Sequence, residues 1–288
     1  MKVITAAAAV DCGFAGPGTA YRTNRDDPGY YRLPGDGSHV WDPTMTVKDA
    51  IVHSSNIVIG KLAYDLGPAT LYEYFKRFGF GQQTGIDLPG EQYGILPNPT
   101  KRMWDKASQS RAGIGQFVAV TAIQMCSAYQ AIANDGLRMR PYIVERILEP
   151  NGAEVFRHDP EPLGRPISEK TARTMREVMM DVASPKGTAR RAAIPGYSIA
   201  GKTGTAQKAL NGHYQDGLYR ASFCGILPAG DPRLVVLVTL DFDAKTKYHQ
   251  GGNSAGPVFN RVATYVLSYL MIQPDRPDEL RDSPTDAE

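Results

Sequence analysis

The stretch Gly196–Lys208, GYSIAGKTGTAQK, concentrates chemistry: Lys202-Thr203-Gly204-Thr205 puts a cation, two hydroxyls and a bare backbone position into four residues. Its flanks are extended in character, and the turn signals Asn211-Gly212 and Asp216-Gly217 follow. On a strand, Lys202 and Gly204 share one face while Thr203 and Thr205 share the other. A strand edge carrying a cation beside a glycine suits a ligand with both an anionic group and an amide.

The same letters match a phosphate-binding loop, Gly196-x-x-x-x-Gly201-Lys202-Thr203, with Leu234–Asp241 in the place of the magnesium-binding strand. That loop requires a strand before its glycine and a helix starting at the Lys-Thr. Here Pro195 directly precedes Gly196, Gly204 follows Thr203, and too few residues remain before Asn211-Gly212 for a stable helix. The pattern therefore disfavours the nucleotide reading without closing it.

Other chemistry is sparse. There is no HExxH, no G-x-S-x-G and no Cys-His cluster. His39, His53, His158, His213 and His249 share no metal-like spacing, so neither a metal nor a cofactor is expected. Cys12, Cys126 and Cys224 are widely spaced, which excludes a disulfide framework or a zinc ribbon. What remains is Ser54-x-Asn56 at a break in a helical pattern. With Lys202-Thr203-Gly204 it makes two parts of the S-x-x-K, S-x-N and K-T-G set of serine acyl transferases.

The elements that must hold these residues follow from periodicity and punctuation. Val3–Val10 reads as a helix rather than a signal peptide, because Asp11 interrupts a short apolar run. Residues 11–45, rich in Gly, Pro, Asp and Tyr, read as a long ordered excursion. Thr46 caps a helix over Val47–His53 with Asp49 in its first turn. Ser54-Ser55-Asn56 breaks it, Ile57–Leu66 resumes the helical period, and Ala69–Phe78 forms another helix closed by Gly79.

Residues 80–111 read as irregular, Val120–Asn134 as a helix, and Tyr142–Leu148 with Glu154–Arg157 as a hairpin about Asn151-Gly152. Ser168 caps an amphipathic helix over Glu169–Ala183. The Gly196 stretch, Tyr219–Leu227 and Leu234–Phe242 form a three-strand antiparallel meander. Ser254–Ile272 is the last helix, with Pro257 in its first turn. Residues 273–288 read as a disordered acidic tail.

At 288 residues, with 42% hydrophobic and 22% charged residues, the chain has the composition of a globular protein with a sizeable core. Its net charge of +2 argues against a nucleic-acid partner. No apolar run is long enough to span a membrane. Helices around an antiparallel sheet give an α+β fold, with one domain over residues 1–272.

From residue 1 to about 272 the chain resembles the transpeptidase domain of class B (monofunctional) penicillin-binding proteins of the cell-division or elongation type. The resemblance rests first on Ser54-Ser55-Asn56, Phe78-Gly79-Phe80-Gly81, Thr84-Gly85-Ile86, Leu88-Pro89-Gly90-Glu91 and Gly113-Ile114-Gly115-Gln116. It continues through Val120-Thr121, Ala128-Tyr129, Ala131-Ile132-Ala133-Asn134, Arg140-Pro141, Gly187-Thr188-Ala189 and Pro195-Gly196-Tyr197. Ala200–Lys208 completes it.

It implies the fold shared with serine β-lactamases, a five-stranded sheet between helices, and D-Ala-D-Ala cleavage on peptidoglycan stem peptides followed by transfer to an amine. It also implies β-lactam binding, no cofactor, division- or elongation-complex partners, and a bacterial inner-membrane anchor with the catalytic domain on the periplasmic side.

One departure stands out. The family's Ser-x-x-Lys opens the helix that begins here at Met1-Lys2-Val3, so Lys2 falls at the motif lysine and the nucleophilic serine falls ahead of Met1. The upstream hairpin that supplies two strands falls there too. The sequence-level expectation is therefore a domain that begins just inside its motif and is inactive as it stands.

The resemblance implies Lys2 as the base, kept neutral by burial and by Lys202. Ser54 relays a proton to the leaving amine, and Asn56 orients Lys2 and a substrate amide. Lys202 meets the donor's carboxylate with Thr203 and Thr205 as hydroxyl donors. Gly204 keeps the strand face open, and the Thr205 N–H serves the oxyanion hole, where losing one donor costs roughly 3–4 kcal/mol. The alternatives are a serine β-lactamase, disfavoured by the lack of Glu-x-x-Leu-Asn between Asn56 and Lys202, a DD-carboxypeptidase, and a non-catalytic recognition module.

Overall fold

The computed structural model describes residues 1–24, 43–101, 104–210, 213–242 and 250–281. At its centre lies α1 (Lys2–Asp11), KVITAAAAVD, in which every residue from Val3 to Ala9 is buried. Four consecutive alanines give it a narrow girth, so that neighbouring helices approach it on several sides. A short strand pair follows, β1 (Ala20–Arg22) with β2 (Thr44–Thr46). Most of the expected 11–45 excursion, including His39, lies outside the described residues.

Around α1 pack α2 (Val47–Val52), α3 (Asn56–Leu66), α4 (Pro68–Arg77), α5 (Lys106–Ile114) and α7 (Glu169–Met180). α2 starts in a capping box in which the Thr46 side chain and Asp49 satisfy each other's backbone N–H groups. α5 corrects the expectation that residues 80–111 are irregular throughout. Its sequence KASQSRAGI carries no apolar stripe, yet Asp105 caps it and Gly113 lets it lie against Ala63 of α3. α6 (Ala122–Ala133) begins at a second capping box, Thr121 with Gln124.

The chain then forms β3 (Arg138–Met139) paired with β6 (Pro162–Gly164), and between them the hairpin β4 (Arg146–Leu148) with β5 (Glu154–Arg157). The hairpin is shorter than Tyr142–Leu148 because Ile143 and Val144 give their N–H groups to Asp87.

The main sheet is the expected meander, β7 (Ala200–Leu210), β8 (His213–Leu227) and β9 (Leu234–Phe242), antiparallel in the order β7-β8-β9. Among the described residues it has three strands, and β7 is an edge. α8 (Gly251–Tyr269) packs on the sheet through Phe259, whose ring meets Phe223 edge-on at 4.7 Å. This helix starts earlier than Ser254, which leaves Pro257 inside it rather than in its first turn.

The tail is also corrected as far as it is described. α9 (Asp278–Arg281) forms, and the segment before it binds the lead-in to β7. Asp275 accepts the Ser198 N–H at 2.8 Å, and Arg276 donates its N–H to the Gly196 carbonyl at 2.9 Å. Residues 282–288 lie outside the described residues. Helices on both sides of an antiparallel sheet make the fold α+β.

Candidate active site

Three pieces of chain meet where α1 begins. The first is α1 itself, which carries half-buried Lys2 in its first turn. The second is the turn between α2 and α3. After α2 ends, Ser54 takes a left-handed conformation (φ 62°), unusual for a residue with a Cβ, and Ser55 then caps α3. The turn aims Ser54 back at α1. Lys2 Nζ donates to Ser54 Oγ at 3.0 Å and also to the Ser54 carbonyl. Asn56 is the first residue of α3 and half-buried beside this pair.

The third piece is β7. Lys202 is paired in register with Cys224 of β8, and only 6% of it is exposed. Its Nζ donates to Thr203 Oγ at 3.2 Å. Burial pushes the Lys202 ammonium well below the ordinary lysine range, and the charge on Lys2 lowers it further. The two lysines are thus close enough to feel each other.

The threonines differ in what they do. Thr203 Oγ accepts from Lys202 and lies 3.2 Å from Thr188 Oγ. Thr205 Oγ accepts the N–H of Gly251, the first residue of α8, at 3.2 Å, so its own hydrogen remains to be donated. A Cβ on Gly204 would lie 2.5 Å from Ser222 Oγ. A Cβ on Gly251 would lie 2.6 Å from the Gly204 carbonyl, so the backbones of α8 and β7 are in contact there.

Lys2, Ser54 and Asn56 are therefore brought to one end of α1, and Lys202, Thr203, Gly204 and Thr205 line the β7 edge beside them. Sequence reasoning cited Thr188 within Gly187-Thr188-Ala189 but gave it no role; its hydroxyl lies 3.2 Å from that of Thr203. No spacing rule signals it, since the contact crosses a loop. Among the described residues no cluster of metal-binding side chains exists. The phosphate-loop reading fails on geometry, because Lys202 and Thr203 sit inside a strand and no helix begins there. A cleft of about 420 Å³ bordered by Gln130, Asn134, Met139 and Arg233 shares no residue with this site.

Comparison with known proteins agrees with the geometry. Residues 1–264 match the family described as penicillin binding protein transpeptidase domain. Penicillin-binding protein PbpB of Mycolicibacterium smegmatis is 37% identical over 288 aligned residues, covering 92% of this chain and 42% of that protein. Stage V sporulation protein D of Bacillus subtilis is 35% identical, covering 95% of this chain and 42% of that one. The chain thus spans less than half the length of these relatives.

Among solved structures, the transpeptidase domain of penicillin-binding protein 3 from Burkholderia pseudomallei superposes with a TM-score of 0.78 at 32% identity, covering 95% of this chain and 79% of that one. Penicillin-binding protein 3 of Mycobacterium tuberculosis, solved with aztreonam, gives 0.80 at 31% identity, covering 96% and 63%. No helix among the described residues is long and apolar enough to cross a membrane. With the family match, the identity over nine-tenths of the chain and the fold in agreement, the chain belongs to the penicillin-binding protein transpeptidase domain family.

Proposed function

We propose that this chain carries the acyl-transfer site of a peptidoglycan D,D-transpeptidase and recognises stem peptides ending in D-Ala-D-Ala. The observation that carries the reading is the Lys2–Ser54 hydrogen bond with Lys202 buried alongside it. Lys2 and Lys202 oppose each other's charge. With the donor's carboxylate holding the charge on Lys202, Lys2 is the neutral amine, with two hydrogens for its bonds to Ser54 and a lone pair that can accept a proton.

In this reading a serine one helical turn before Lys2, ahead of Met1, is the nucleophile. Its Oγ–H gives its proton to Lys2 while Oγ attacks the carbonyl carbon of the D-Ala–D-Ala bond. The C–N bond then breaks, and the departing amine takes the proton from Lys2 through Ser54. An acceptor amine attacks the resulting ester, the C–Oγ bond breaks, and the proton the amine gives up passes through Lys2 to the serine Oγ as the cross-link forms. Lys202 holds the donor's terminal carboxylate, Thr205 adds a hydroxyl hydrogen, and Asn56 orients Lys2 and a substrate amide.

β-Lactams carry a carboxylate and a strained amide, so the same residues suit them. The Mycobacterium tuberculosis relative was solved with aztreonam and with ampicillin. The proposal includes a membrane-anchored protein whose site faces away from the cytoplasm, working beside division or elongation proteins. It places one transpeptidase domain over residues 1–272.

The test is labelling by a fluorescent penicillin, with the site mapped by mass spectrometry. A protein carrying its native sequence upstream of Met1 is expected to be labelled on the serine before Lys2, and residues 1–288 alone are not. A label on any residue within 1–288 overturns the assignment of the nucleophile. An unlabelled longer protein overturns the enzyme reading in favour of a recognition module.

A further inference from the structure

Thr188 takes no part in the chemistry above, yet it stands between the two halves of the site. Lys202 Nζ lies 3.2 Å from Thr203 Oγ, Thr203 Oγ lies 3.2 Å from Thr188 Oγ, and Thr188 Oγ lies 3.3 Å from the Val52 carbonyl oxygen. An ammonium only donates, a carbonyl only accepts, and each hydroxyl has one hydrogen. With all three bonds made, their direction is fixed. Lys202 donates to Thr203, Thr203 to Thr188, and Thr188 to Val52. Thr203 therefore turns a lone pair, not its hydrogen, toward Lys202.

The backbone holds Thr188 in place for this. A Cβ on Gly252 would lie 1.9 Å from the Thr188 carbonyl oxygen, and one on Gly187 would lie 2.2 Å from the Val182 carbonyl. The loop is thus pinched between the start of α8 and the short 3₁₀ turn Asp181–Ala183, where Ala189 N–H also bonds the Val182 carbonyl at 2.9 Å. At the far end, Val52 closes α2, just before the strained Ser54 turn.

We propose that Thr188 is a positioning residue. By fixing the Thr203 hydroxyl as an acceptor, it sets the Lys202 ammonium where a ligand's terminal carboxylate is met, and it couples the β7 edge to the Ser54 turn. This rests on the reading of Lys202 as the carboxylate-binding residue. Thr188 is solvent-exposed and its bonds are long, so its effect is modest.

The test uses reversible binding, which does not depend on a nucleophile. An N-acetylated Lys-D-Ala-D-Ala tripeptide and its C-terminal carboxamide are titrated by NMR. Thr188→Val is expected to weaken the carboxylate peptide roughly threefold to fivefold and to leave the carboxamide unchanged, with Thr188→Ser recovering the parent affinity. In a Thr203→Val background, Thr188→Val is expected to cause no further loss. Thr188→Ala stands in should the valine variant melt early.

Parent-like binding by both Thr188→Val and Thr188→Ala overturns the proposal. So does failure of Thr188→Ser to recover binding, or a loss that persists without the Thr203 hydroxyl. Lys202→Ala separates the two levels. If it leaves the preference for carboxylate over carboxamide intact, the carboxylate-site reading itself fails. If it abolishes the preference while Thr188→Val leaves the carboxylate affinity at the parent level, only the role of Thr188 fails.

Discussion

Lys2 donates to Ser54 Oγ at 3.0 Å across a separation of 52 residues, while Lys202, buried nearby, feels the charge of Lys2. The two lysines have different surroundings. Lys2 has two acceptor oxygens from one residue, whereas burial is the largest influence on Lys202. Burial and Lys2 oppose the charge on Lys202, and an arriving carboxylate relieves that opposition.

Lys202→Met therefore stabilises the protein at neutral pH. The folded pKa of Lys202 lies below its ordinary value of 10.5, so between the two the unfolded chain binds more protons and stability rises with pH. Replacing a buried charge by a packed apolar side chain adds roughly 1–2 kcal/mol near pH 7. The gain shrinks as pH approaches 10.5. Urea unfolding midpoints of both proteins across that range check it, and a midpoint below the parent's at pH 7 contradicts it. The same variant loses the preference for a carboxylate ligand.

Gly252→Ala destabilises the fold and disturbs the site. Its added Cβ would meet the Thr188 carbonyl oxygen at 1.9 Å and the Thr188 carbonyl carbon at 3.0 Å, both backbone atoms that cannot swing aside. Overpacking of this kind costs roughly 1–3 kcal/mol. Gly256→Ala, whose Cβ would find its nearest neighbour at 3.5 Å, is the control and costs little. Thermal melts of the two variants separate them, and equal losses count against the close contact.

How far these contacts were legible in the sequence depended on their range. α1, α2, α3, α6 and α7 announce themselves through apolar period and, for α2 and α7, through the capping residues Thr46 and Ser168, and the three strands through extended runs between turn signals. The proximity of Lys2 to Ser54 came from register against a family, because no local rule joins residues so far apart.

α5 stayed hidden because Lys106–Ile114 buries its small residues against α3 without an apolar stripe. The contacts of Thr188 stayed hidden because its partners are a hydroxyl across a loop and a helix-terminal carbonyl. The tail looked disordered by composition, since its polar residues bind backbone rather than fill a core.

Arg138→Met is expected to be neutral or stabilising. Arg138 is 7% exposed, its Nε and Nη1 atoms are buried with no hydrogen-bond partner among the described residues, and burial pushes its pKa down. Methionine keeps the length and removes the polar atoms, and such replacements are worth roughly 0–2 kcal/mol in favour of the apolar residue. Chemical denaturation tests it, and a loss above about 1 kcal/mol means that the guanidinium has found compensation elsewhere.

Asp275→Ala loosens the lead-in to the Lys202 strand. The Asp275 carboxylate accepts both the N–H and the hydroxyl of Ser198, a residue only 3% exposed, and Ser198 Oγ in turn accepts the Ala229 N–H at 2.8 Å. Removing the carboxylate strands a buried N–H, at a cost of roughly 1–3 kcal/mol. β7 begins at Ala200, close behind Ser198, so the damage spreads along the strand that holds Lys202. Two measurements follow. The unfolding midpoint falls, and amides of residues 200–204 exchange hydrogen faster, while those of α3 keep their protection. Ser198→Ala added to Asp275→Ala costs less than the sum of the single changes, because both act through one network. Full additivity of the pair, or unchanged exchange in β7, rules out the tail as a clamp on that strand.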